Sequence, residues 1–223
     1  MELTVKESAQ LLQVSEKTIY RWLAAGTIPH RRVGNQYRFD RHELTSWAAQ
    51  SGRPIDAAAL HQSEPATEIP SLSTALQDGG IYYRIGGDRP EAAIGEITTI
   101  MRLPASIDRD NLFRGLTARE SLASTGVGEG VAIPHMRFPL AQLPGSQIAL
   151  AFPAAPIDWK AIDGDPVRVI FLPLCDTMRA HLRLLSQLHF VLRNRKWRGL
   201  LDRQASRREI LAGLAAVEAA IES

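Results

Sequence analysis

Hydrophobic residues recur with two different periods along this chain, and the change of period separates two regions. Over residues 1–50, apolar side chains recur every three or four positions, which predicts short amphipathic helices. Beyond residue 71, continuous apolar runs such as 148–152 alternate with longer helical patterns. Such runs are typical of buried strands, so we expect an α/β or α+β domain with a mixed sheet flanked by helices.

The first region is predicted to hold three short helices and a β-hairpin. Thr4 and Glu7 form a capping-box pair at the start of the first helix. A second helix is predicted over residues 16–25, after a Ser15 cap and before Gly26. Two further signals complete the region: a tight-turn pair, Gly34-Asn35, between short strands, and Asp40 as the cap of a helix that carries Leu44 and Trp47.

Residues 51–70 are predicted to link the two regions. They contain three prolines, many small or polar residues and no sustained apolar period. The predicted organisation is therefore a module over 1–50, a linker over 51–70 and a domain over 71–223. In that domain the patterns predict strands over 81–85, 131–133, 148–152 and 167–172, and helices over 91–102, 111–124, 177–195 and 206–221.

Composition narrows the class of protein. Of the 223 residues, 45% are hydrophobic, yet the longest apolar runs are far too short to cross a membrane. The single Cys175 cannot form an internal disulfide, and the N-terminus lacks the pattern of a secretory signal, so the expected location is cytoplasmic. Histidines and the cysteine lack the spacing of metal ligands, so neither a metal nor a cofactor is expected.

The positive charge of the chain lies in its first region. The formal net charge is +2. Residues 1–50 hold seven Lys and Arg against five Asp and Glu, whereas residues 51–223 hold 19 of each. This asymmetry is a weak indication of nucleic-acid binding, and the pattern of residues has to carry the inference.

Two helices joined by a tight turn, the second rich in polar positions, follow the plan of a helix-turn-helix. The candidate DNA-binding residues are Ser15, Lys17, Thr18 and Arg21 on the second helix, and Arg31, Arg32, Asn35, Gln36 and Arg38 on the hairpin. The alternative is a small structural helical hairpin with solvated charges.

The segments Val14-Ser-Glu-Lys-Thr-Ile-Tyr-Arg-Trp-Leu and Val33-Gly-Asn-Gln-Tyr-Arg-Phe, in this order, closely resemble the excisionase/MerR-like winged helix-turn-helix family. The resemblance extends over residues 2–49. It implies that the helix 15–25 enters the major groove of double-stranded DNA and that the hairpin is the wing. The long dimerising coiled coil of MerR proteins has no counterpart here, so self-association as a homo-oligomer stays open.

A second motif, Gly126-Val-Gly-Glu-Gly-Val-Ala-Ile-Pro-His135, points to chemistry at a histidine. Its glycines permit φ > 0 and close approach of another segment, and Pro134 fixes the turn after a short buried strand. His135 is thus placed at a rigid strand end. With an ordinary pKa of about 6.5, its imidazole is largely neutral at pH 7 and can act as a nucleophile. The alternative is a histidine that only hydrogen-bonds within a loop.

Two segments of the second region resemble enzyme IIA of the bacterial phosphoenolpyruvate-dependent phosphotransferase system, in its fructose/mannitol and nitrogen-regulatory class. They are Arg119-Glu-Ser-Leu-Ala-Ser-Thr-Gly followed by the motif ending at His135, and His181-Leu-Arg-Leu-Leu-Ser-Gln-Leu188. The similarity extends over roughly residues 72–222. The resemblance implies that His135 accepts a phosphoryl group. Met136 replaces the small residue usual after the histidine, which could alter partner docking.

The neighbouring residues suit phosphoryl transfer. Arg119 could bind the phosphoryl oxygens with its guanidinium fork, and His181 could orient the group or donate a hydrogen bond to it. Further donors are expected in a phosphate loop consisting of Ser124, Thr125, Gly126, Gly128 and Gly130. The alternatives are a surface ion pair for Arg119 and a packed helix histidine for His181.

The favoured function is a DNA-binding regulator whose activity is set by phosphoryl transfer to His135, acting as a phosphoryl acceptor rather than as a classical turnover enzyme. The competing hypothesis is a phosphoryl carrier of a sugar or nitrogen phosphotransferase system with the helix-turn-helix as an accessory. A degenerate, unphosphorylated sensor is a third. The partners implied are a phosphorylated HPr- or NPr-type carrier, double-stranded DNA, and an enzyme IIB-type or regulatory protein.

Overall fold

The computed structural model describes residues 2–34, 36–51, 69–140 and 142–222. The chain divides into two compact units, Met1–Thr67 and Glu68–Ser223. The first is a small, mostly helical unit and the second is an α/β unit, as the periods of the sequence predict. Most of the predicted linker, residues 52–68, lies outside the described residues.

The N-terminal unit combines three helices with a three-stranded antiparallel sheet of order β1-β3-β2. Leu3 of the first strand lies opposite Phe39, and Arg32 of the second lies opposite Tyr37. Its elements are β1 (Glu2–Leu3), α1 (Val5–Leu11), α2 (Glu16–Ala24), β2 (Arg31–Val33), β3 (Gln36–Asp40) and α3 (Arg41–Gln50).

Local capping signals set the helix ends of this unit. Thr4 and Glu7 make both hydrogen bonds of a capping box at the start of α1. The Ser15 hydroxyl accepts a hydrogen bond from the Thr18 N–H at the start of α2. Gly26 adopts φ +64° after α2, where the Gly26 and Thr27 N–H groups bond back to the carbonyls of the last turn. These predicted caps are therefore confirmed.

The core of the N-terminal unit consists of apolar side chains from every described helix and from β3. The Trp22 and Trp47 rings meet edge to face with centroids 5.3 Å apart, joining α2 to α3. The fully buried side chains include Leu11, Leu12, Ile19, Phe39 and Leu44. This packing fixes which face of α2 stays in contact with solvent.

The C-terminal unit contains a five-stranded mixed sheet of order β4-β7-β8-β6-β5. The pairs β4–β7 and β6–β8 are parallel, and the pairs β7–β8 and β5–β6 are antiparallel. The strands are β4 (Ile81–Ile85), β5 (Gly126–Gly128), β6 (Val131–Ala132), β7 (Gln147–Pro153) and β8 (Val169–Leu174). The helices are α4 (Leu72–Gly79), α5 (Pro90–Ile100), α6 (Arg109–Leu122), α7 (Met178–Val191), α8 (Arg195–Asp202) and α9 (Arg207–Glu222).

Helices cover both faces of this sheet, so its central strands are buried throughout. Alternate residues of β7 and β8 enter two separate clusters, because successive side chains of a strand point to opposite faces. Leu150 and Phe171 pack with α4, α7, α8 and α9, whereas Ala151 and Ile170 pack with α5 and α6. The continuous apolar runs of the sequence are explained by this double coverage. Within the described ranges no helix is long and apolar enough to span a membrane.

Several parts of the C-terminal unit differ from the sequence-based prediction, among them β5, which was predicted as a loop. The helix predicted over 177–195 ends at Val191, and a separate helix follows because the Asn194 side chain caps the Trp197 N–H. The last strand starts at Val169 rather than at residue 167, because Val167 pairs with Ile157 in an isolated bridge. The helix α4 was not predicted from the pattern, although Ser71 caps it.

Candidate functional site

His135 lies just beyond the end of β6. The hairpin formed by β5 and β6 places Gly126 opposite Ala132, and β6 pairs in parallel with β8 in the buried part of the sheet. The chain then leaves the sheet through the buried Ile133 and Pro134, and the His135 side chain is half-buried. The strand-end position predicted for this histidine is where the structure places it.

A single hydrogen bond sets the tautomer of His135. Its Nδ1 atom lies 2.8 Å from the carbonyl oxygen of Ile133. Because a carbonyl oxygen can only accept a hydrogen bond, Nδ1 carries the proton in the neutral ring. The lone pair of the ring is therefore on Nε2, which is the nucleophilic atom available at this site.

His181 meets His135 from a different element. It lies in the first turns of α7, whose start is fixed by a hydrogen bond from the Ala180 N–H to the Thr177 hydroxyl. The two imidazole rings have centroids 5.4 Å apart and planes inclined by 47°. The structure thus brings together two half-buried histidines that are far apart in the sequence.

Arg119 supplies positive charge to both histidines. It lies in the last turn of α6, where its Nη1 donates to the Ala123 carbonyl oxygen over 2.9 Å. Burial lowers the pKa of His135, and the Arg119 charge lowers it further. Burial, His135 and Arg119 together lower the pKa of His181 to about 4. Both rings are therefore neutral at pH 7.

Ser124 and Thr125 make hydrogen bonds within the protein. The Ser124 hydroxyl donates to the Trp159 carbonyl oxygen over 2.6 Å. Thr125 is buried; its hydroxyl donates to the Glu120 carboxylate and accepts from the indole N–H of Trp159 over 3.2 Å. These two side chains therefore brace the backbone around the histidine, and the assignment of a phosphate loop to them stays a prediction.

The glycine segment is a β-hairpin rather than an open loop. Gly126 lies so close to Ala161 that an added Cβ would stand 2.7 Å from the Ala161 Cβ. Gly128 and Gly130 both have left-handed φ values, +94° and +72°, at the turn. The Gly126 N–H bonds to the Ser124 hydroxyl and the Glu129 N–H to the Asp163 carboxylate. These two backbone donors are therefore already used within the protein.

Sequence reasoning missed the residues that hold this site in place. Glu120 accepts hydrogen bonds from both the N–H and the hydroxyl of Thr125, and Trp159 binds both Thr125 and Ser124. Adjacency to Arg119 could have singled out Glu120, but nothing in the sequence places Trp159 here. Met136 packs onto α6, where an added Cβ at Gly115 would stand 2.6 Å from its Cε.

The second candidate surface lies on the N-terminal unit. Lys17 and Arg21 are exposed on α2, on the side opposite the buried Ile19 and Trp22. Ser15 and Thr18 are engaged in the helix cap, with their hydroxyl oxygens 3.1 Å apart. Tyr20, which the sequence reasoning did not select, is 50% exposed beside Lys17 and Arg21. This face of α2 can therefore present two cations and an aromatic ring to a groove.

The β2–β3 hairpin carries the other predicted cations. Arg31 is 3.6 Å from the Glu43 carboxylate, and Arg38 donates to the Gln36 side chain over 2.6 Å. The guanidinium of Arg32 lies over the Tyr37 ring. That ring also contacts Tyr20 of α2, with centroids 6.4 Å apart, so it connects the hairpin to the helix. Asn35 lies outside the described residues.

The sequence pattern of the phosphoenolpyruvate-dependent sugar phosphotransferase system EIIA 2 family matches residues 82–217, more than half of the chain. The chain belongs to this family. A helix-turn-helix domain pattern matches residues 2–52. The two-domain organisation of an N-terminal helix-turn-helix and a C-terminal EIIA-type domain predicted from the sequence is thus confirmed.

Known proteins of this class are similar to the EIIA-type domain. A nitrogen regulatory protein of Pseudomonas aeruginosa is 35% identical over 125 residues, which is 54% of this chain and 79% of that protein. A nitrogen regulatory protein of Pseudomonas putida is 36% identical over 89 residues, 39% of this chain and 97% of that protein. The fructose-specific EIIABC component of Bacillus subtilis is 29% identical over 124 residues, 54% of this chain and 19% of that protein.

Solved structures agree on the fold of this family member. The nitrogen regulatory protein IIA-Ntr from Neisseria meningitidis has a TM-score of 0.57 and 29% identity, covering 64% of this chain and 98% of that one. A PTS IIA domain from Streptococcus pyogenes, at 18% identity and a TM-score of 0.53, covers 67% of this chain and 97% of that one. The second of these likenesses concerns the fold alone.

Proposed function

We propose that this chain is a DNA-binding regulator whose output is set by phosphorylation of His135. The observation that carries the proposal is the arrangement of His135: its Nδ1 is bonded to a carbonyl, its Nε2 is free to attack, and Arg119 and His181 are close by. The same chain carries a helix-turn-helix domain. A phosphorylated carrier of the HPr or NPr type is the proposed donor.

The transfer uses the lone pair on Nε2. That pair attacks the phosphorus atom of the phosphorylated carrier, the bond from phosphorus to the carrier's nitrogen breaks, and the carrier's nitrogen keeps that electron pair. The Nδ1 proton stays on His135, and the Nδ1–H group keeps its hydrogen bond to the Ile133 carbonyl oxygen. Arg119 offsets the phosphoryl charge, and the neutral His181 donates a hydrogen bond to a phosphoryl oxygen. In a further transfer to an enzyme IIB-type partner, the partner's nucleophile would attack the phosphorus, the bond from phosphorus to Nε2 would break, and Nε2 would keep that electron pair.

The DNA-binding half of the proposal is carried by α2 and the hairpin. Lys17 and Arg21, exposed on α2, are the proposed readers of base edges in the major groove. The cations of the hairpin are the proposed phosphate contacts, which fix position without reading sequence. Phosphorylation would add close to two negative charges at His135, enough to change a docked surface or self-association.

Phosphorylation is tested by mass spectrometry of the full chain after incubation with phosphoenolpyruvate, enzyme I and an HPr-type carrier. One acid-labile phosphoryl group is expected on the wild type and none on His135→Ala. The matched control is His189→Ala, an exposed histidine on α7 that keeps full labelling. Labelling of His135→Ala to the wild-type level would disprove the assignment of the acceptor.

The two neighbours of His135 are tested by the rate of the same reaction. Arg119→Ala and His181→Ala each remove one group placed to stabilise the transferring phosphoryl, so we expect each rate to fall by about 10²–10³. Arg203→Ala removes a surface arginine that is paired with Glu209 and is the control. Unchanged rates in both variants would show that Arg119 and His181 do not contribute to phosphoryl transfer to His135.

Coupling between phosphorylation and DNA binding is tested with DNA fragments selected by the chain itself from a random pool. The affinity and the oligomeric state are measured for the wild type before and after phosphorylation, and for His135→Ala. A change of about 5- to 150-fold in the dissociation constant would be usual for such a switch. Identical affinity and oligomeric state in all three samples would favour a phosphoryl carrier with an accessory helix-turn-helix, the role that the likeness to fructose-specific EIIA components supports.

A further inference from the structure

Glu120 stands at the centre of a hydrogen-bond network that joins the two elements of the candidate transfer site. Its Oε1 accepts the Thr125 backbone N–H over 2.8 Å, and its Oε2 accepts the Thr125 hydroxyl. The Thr125 hydroxyl donates to Glu120 because an ionised carboxylate can only accept, and the same hydroxyl accepts from the Trp159 indole N–H, which can only donate. The direction of each hydrogen bond around Thr125 is therefore fixed.

From Thr125 the network continues to the nucleophile through the backbone. The Thr125 carbonyl oxygen accepts the Ile133 N–H over 3.0 Å, and the Ile133 carbonyl oxygen accepts the His135 Nδ1–H over 2.8 Å. Two residues, Thr125 and Ile133, thus connect the Glu120 carboxylate to the imidazole. A displacement of Thr125 would move the carbonyl that selects the His135 tautomer.

Glu120 also lies in the last turn of α6, directly after Arg119. The same carboxylate therefore ties the helix that carries the guanidinium to the hairpin that carries the imidazole. Ser124, between the two elements, is held by the Trp159 carbonyl, which anchors the connection to the segment after β7. The described hydrogen bonds of Glu120 are made to Thr125 and not to the His135 ring.

From this geometry we infer that Glu120 is a positioning residue that holds the Nδ1–H tautomer of His135 and the spacing between His135 and Arg119. The inference rests on the proposed function of His135 as a phosphoryl acceptor. Through Thr125 and Ile133, the carboxylate keeps the ring oriented with Nε2 outward. The phosphoryl transfer then needs no rotation or proton shift of the imidazole before attack.

The test compares Glu120→Ala with Glu218→Ala in the full chain. Glu218 is a matched control because its carboxylate also accepts two hydrogen bonds, from the Leu72 and Ser73 N–H groups at the start of α4. The first readout is the ¹⁵N NMR spectrum of the His135 ring at pH 7, which distinguishes the two neutral tautomers without any phosphoryl donor. The second is the rate of His135 phosphorylation by phosphoramidate, whose P–N bond breaks with release of ammonia.

In Glu120→Ala we expect a mixture of tautomers at His135 and a phosphorylation rate lower by about 10- to 100-fold. Glu218→Ala should keep the Nδ1–H tautomer and the wild-type rate. If Glu120→Ala does not fold, Glu120→Gln decides: its carbonyl still accepts one bond, but its amide cannot accept the Thr125 hydroxyl, so a smaller change in the same direction is expected.

A wild-type NMR spectrum in a folded Glu120 variant would overturn the inference, whether or not the rate falls, since Glu120 would then not position the ring. If the wild type itself accepts no phosphoryl group while the tautomer still depends on Glu120, the proposed function fails and the positioning role stands. The two failures are thereby told apart.

Discussion

At the scale of single residues, burial decides what the histidines do. His135 and His181 are half-buried and close together, with the Arg119 charge nearby, so protonation of either ring is disfavoured. His189, two turns further along α7, is exposed and bonds only to the Leu185 carbonyl in the described contacts. The exposed His189 thus differs from the two half-buried histidines in its surroundings, although all three belong to one domain.

The lowered pKa of His181 makes the stability of the chain depend on pH in a defined range. Its pKa is about 4 in the folded chain, against an ordinary value of 6.5. Between these values the unfolded state binds more protons, so the free energy of unfolding falls as the pH drops from about 6.5 to 4. In His181→Gln we expect the free energy of unfolding to fall less over this pH range than in the wild type. Urea unfolding at several pH values measures it.

His189→Gln, which removes another histidine from the same helix, is measured beside His181→Gln for comparison. Carboxylates also destabilise the chain in acid, so the difference between variant and wild type is the quantity that matters. An unchanged slope in His181→Gln would contradict the lowered pKa of His181.

Cys175 offers a separate test at the residue scale. It is 3% exposed, and burial raises the pKa of its thiol to about 12. Because the thiolate is the reactive form, we expect no measurable modification by a disulfide reagent at pH 8 in the folded chain and full modification in urea. Rapid modification of the native chain would show that the segment after β8 opens. His135→Ala should leave this result unchanged.

At the scale of elements, local signals set where the first helices begin and end, whereas long-range packing decides whether a predicted helix is divided. The capping box at Thr4, the Ser15 cap and the Gly26 ending all rely on residues within five positions, and all were predicted. The division of the predicted helix 177–195 at Asn194 was not predicted, because an amphipathic pattern continues across both parts. The cap of a helix can be read locally, but the need for a break depends on what each part packs against.

The ending of α2 predicts opposite effects of two glycine substitutions. Gly26 has φ +64° and Gly199 lies within α8, and an added Cβ meets nothing within 4 Å at either position. Gly26→Ala should therefore destabilise the N-terminal unit by about 1 kcal/mol through backbone strain alone. Gly199→Ala should stabilise the C-terminal unit by about 0.5–1 kcal/mol through helix propensity. Hydrogen exchange of amides in α2 and α8 would measure both, and equal signs would contradict this account.

At the scale of the whole molecule, the chain joins a helix-turn-helix to an EIIA-type domain. Its net charge of +2 comes from the first 50 residues, so any DNA binding by this chain should be weak and sensitive to salt. The cations involved are spread over α2 and the hairpin. No single one of them is expected to dominate non-specific affinity.

The salt dependence of DNA binding gives a prediction at this scale. For the full chain and a random duplex, log K should fall linearly with log salt concentration, as counterions are released from the DNA. Arg38→Ala should reduce the magnitude of that slope by about 1 and weaken binding to all DNA sequences alike. Arg21→Ala should instead alter the preference among DNA sequences. Fluorescence anisotropy measures both. Arg203→Ala, in the C-terminal unit, is the control, and no binding at low salt would contradict the DNA-binding role.

The extent to which the site could be predicted follows from the range of the interactions that form it. The motif ending at His135 predicted a rigid strand end, because glycines and a proline restrict the chain locally. The predicted phosphate loop of Ser124, Thr125 and the glycines stays an untested assignment, and in the structure several of its donors bond within the protein. Two of the partners, Trp159 and Asp163, are more than 30 residues away, so the sequence pattern could not indicate them, whereas Glu120 and Ser124 lie within five residues of the groups that they bind.

The sequence by itself determined the two-domain organisation, the caps of α1 and α2, the buried strands and the family, because each depends on neighbouring residues or on a recurrent pattern. Only the tertiary structure decided how closely His181 approaches His135, where the proton of the His135 ring lies, how far burial and neighbouring charge lower the pKa of His181, and that Glu120 and Trp159 support the site. Those properties arise from the distances, hydrogen-bond directions and loss of solvent that folding creates between segments distant in the chain, and no local pattern encodes them.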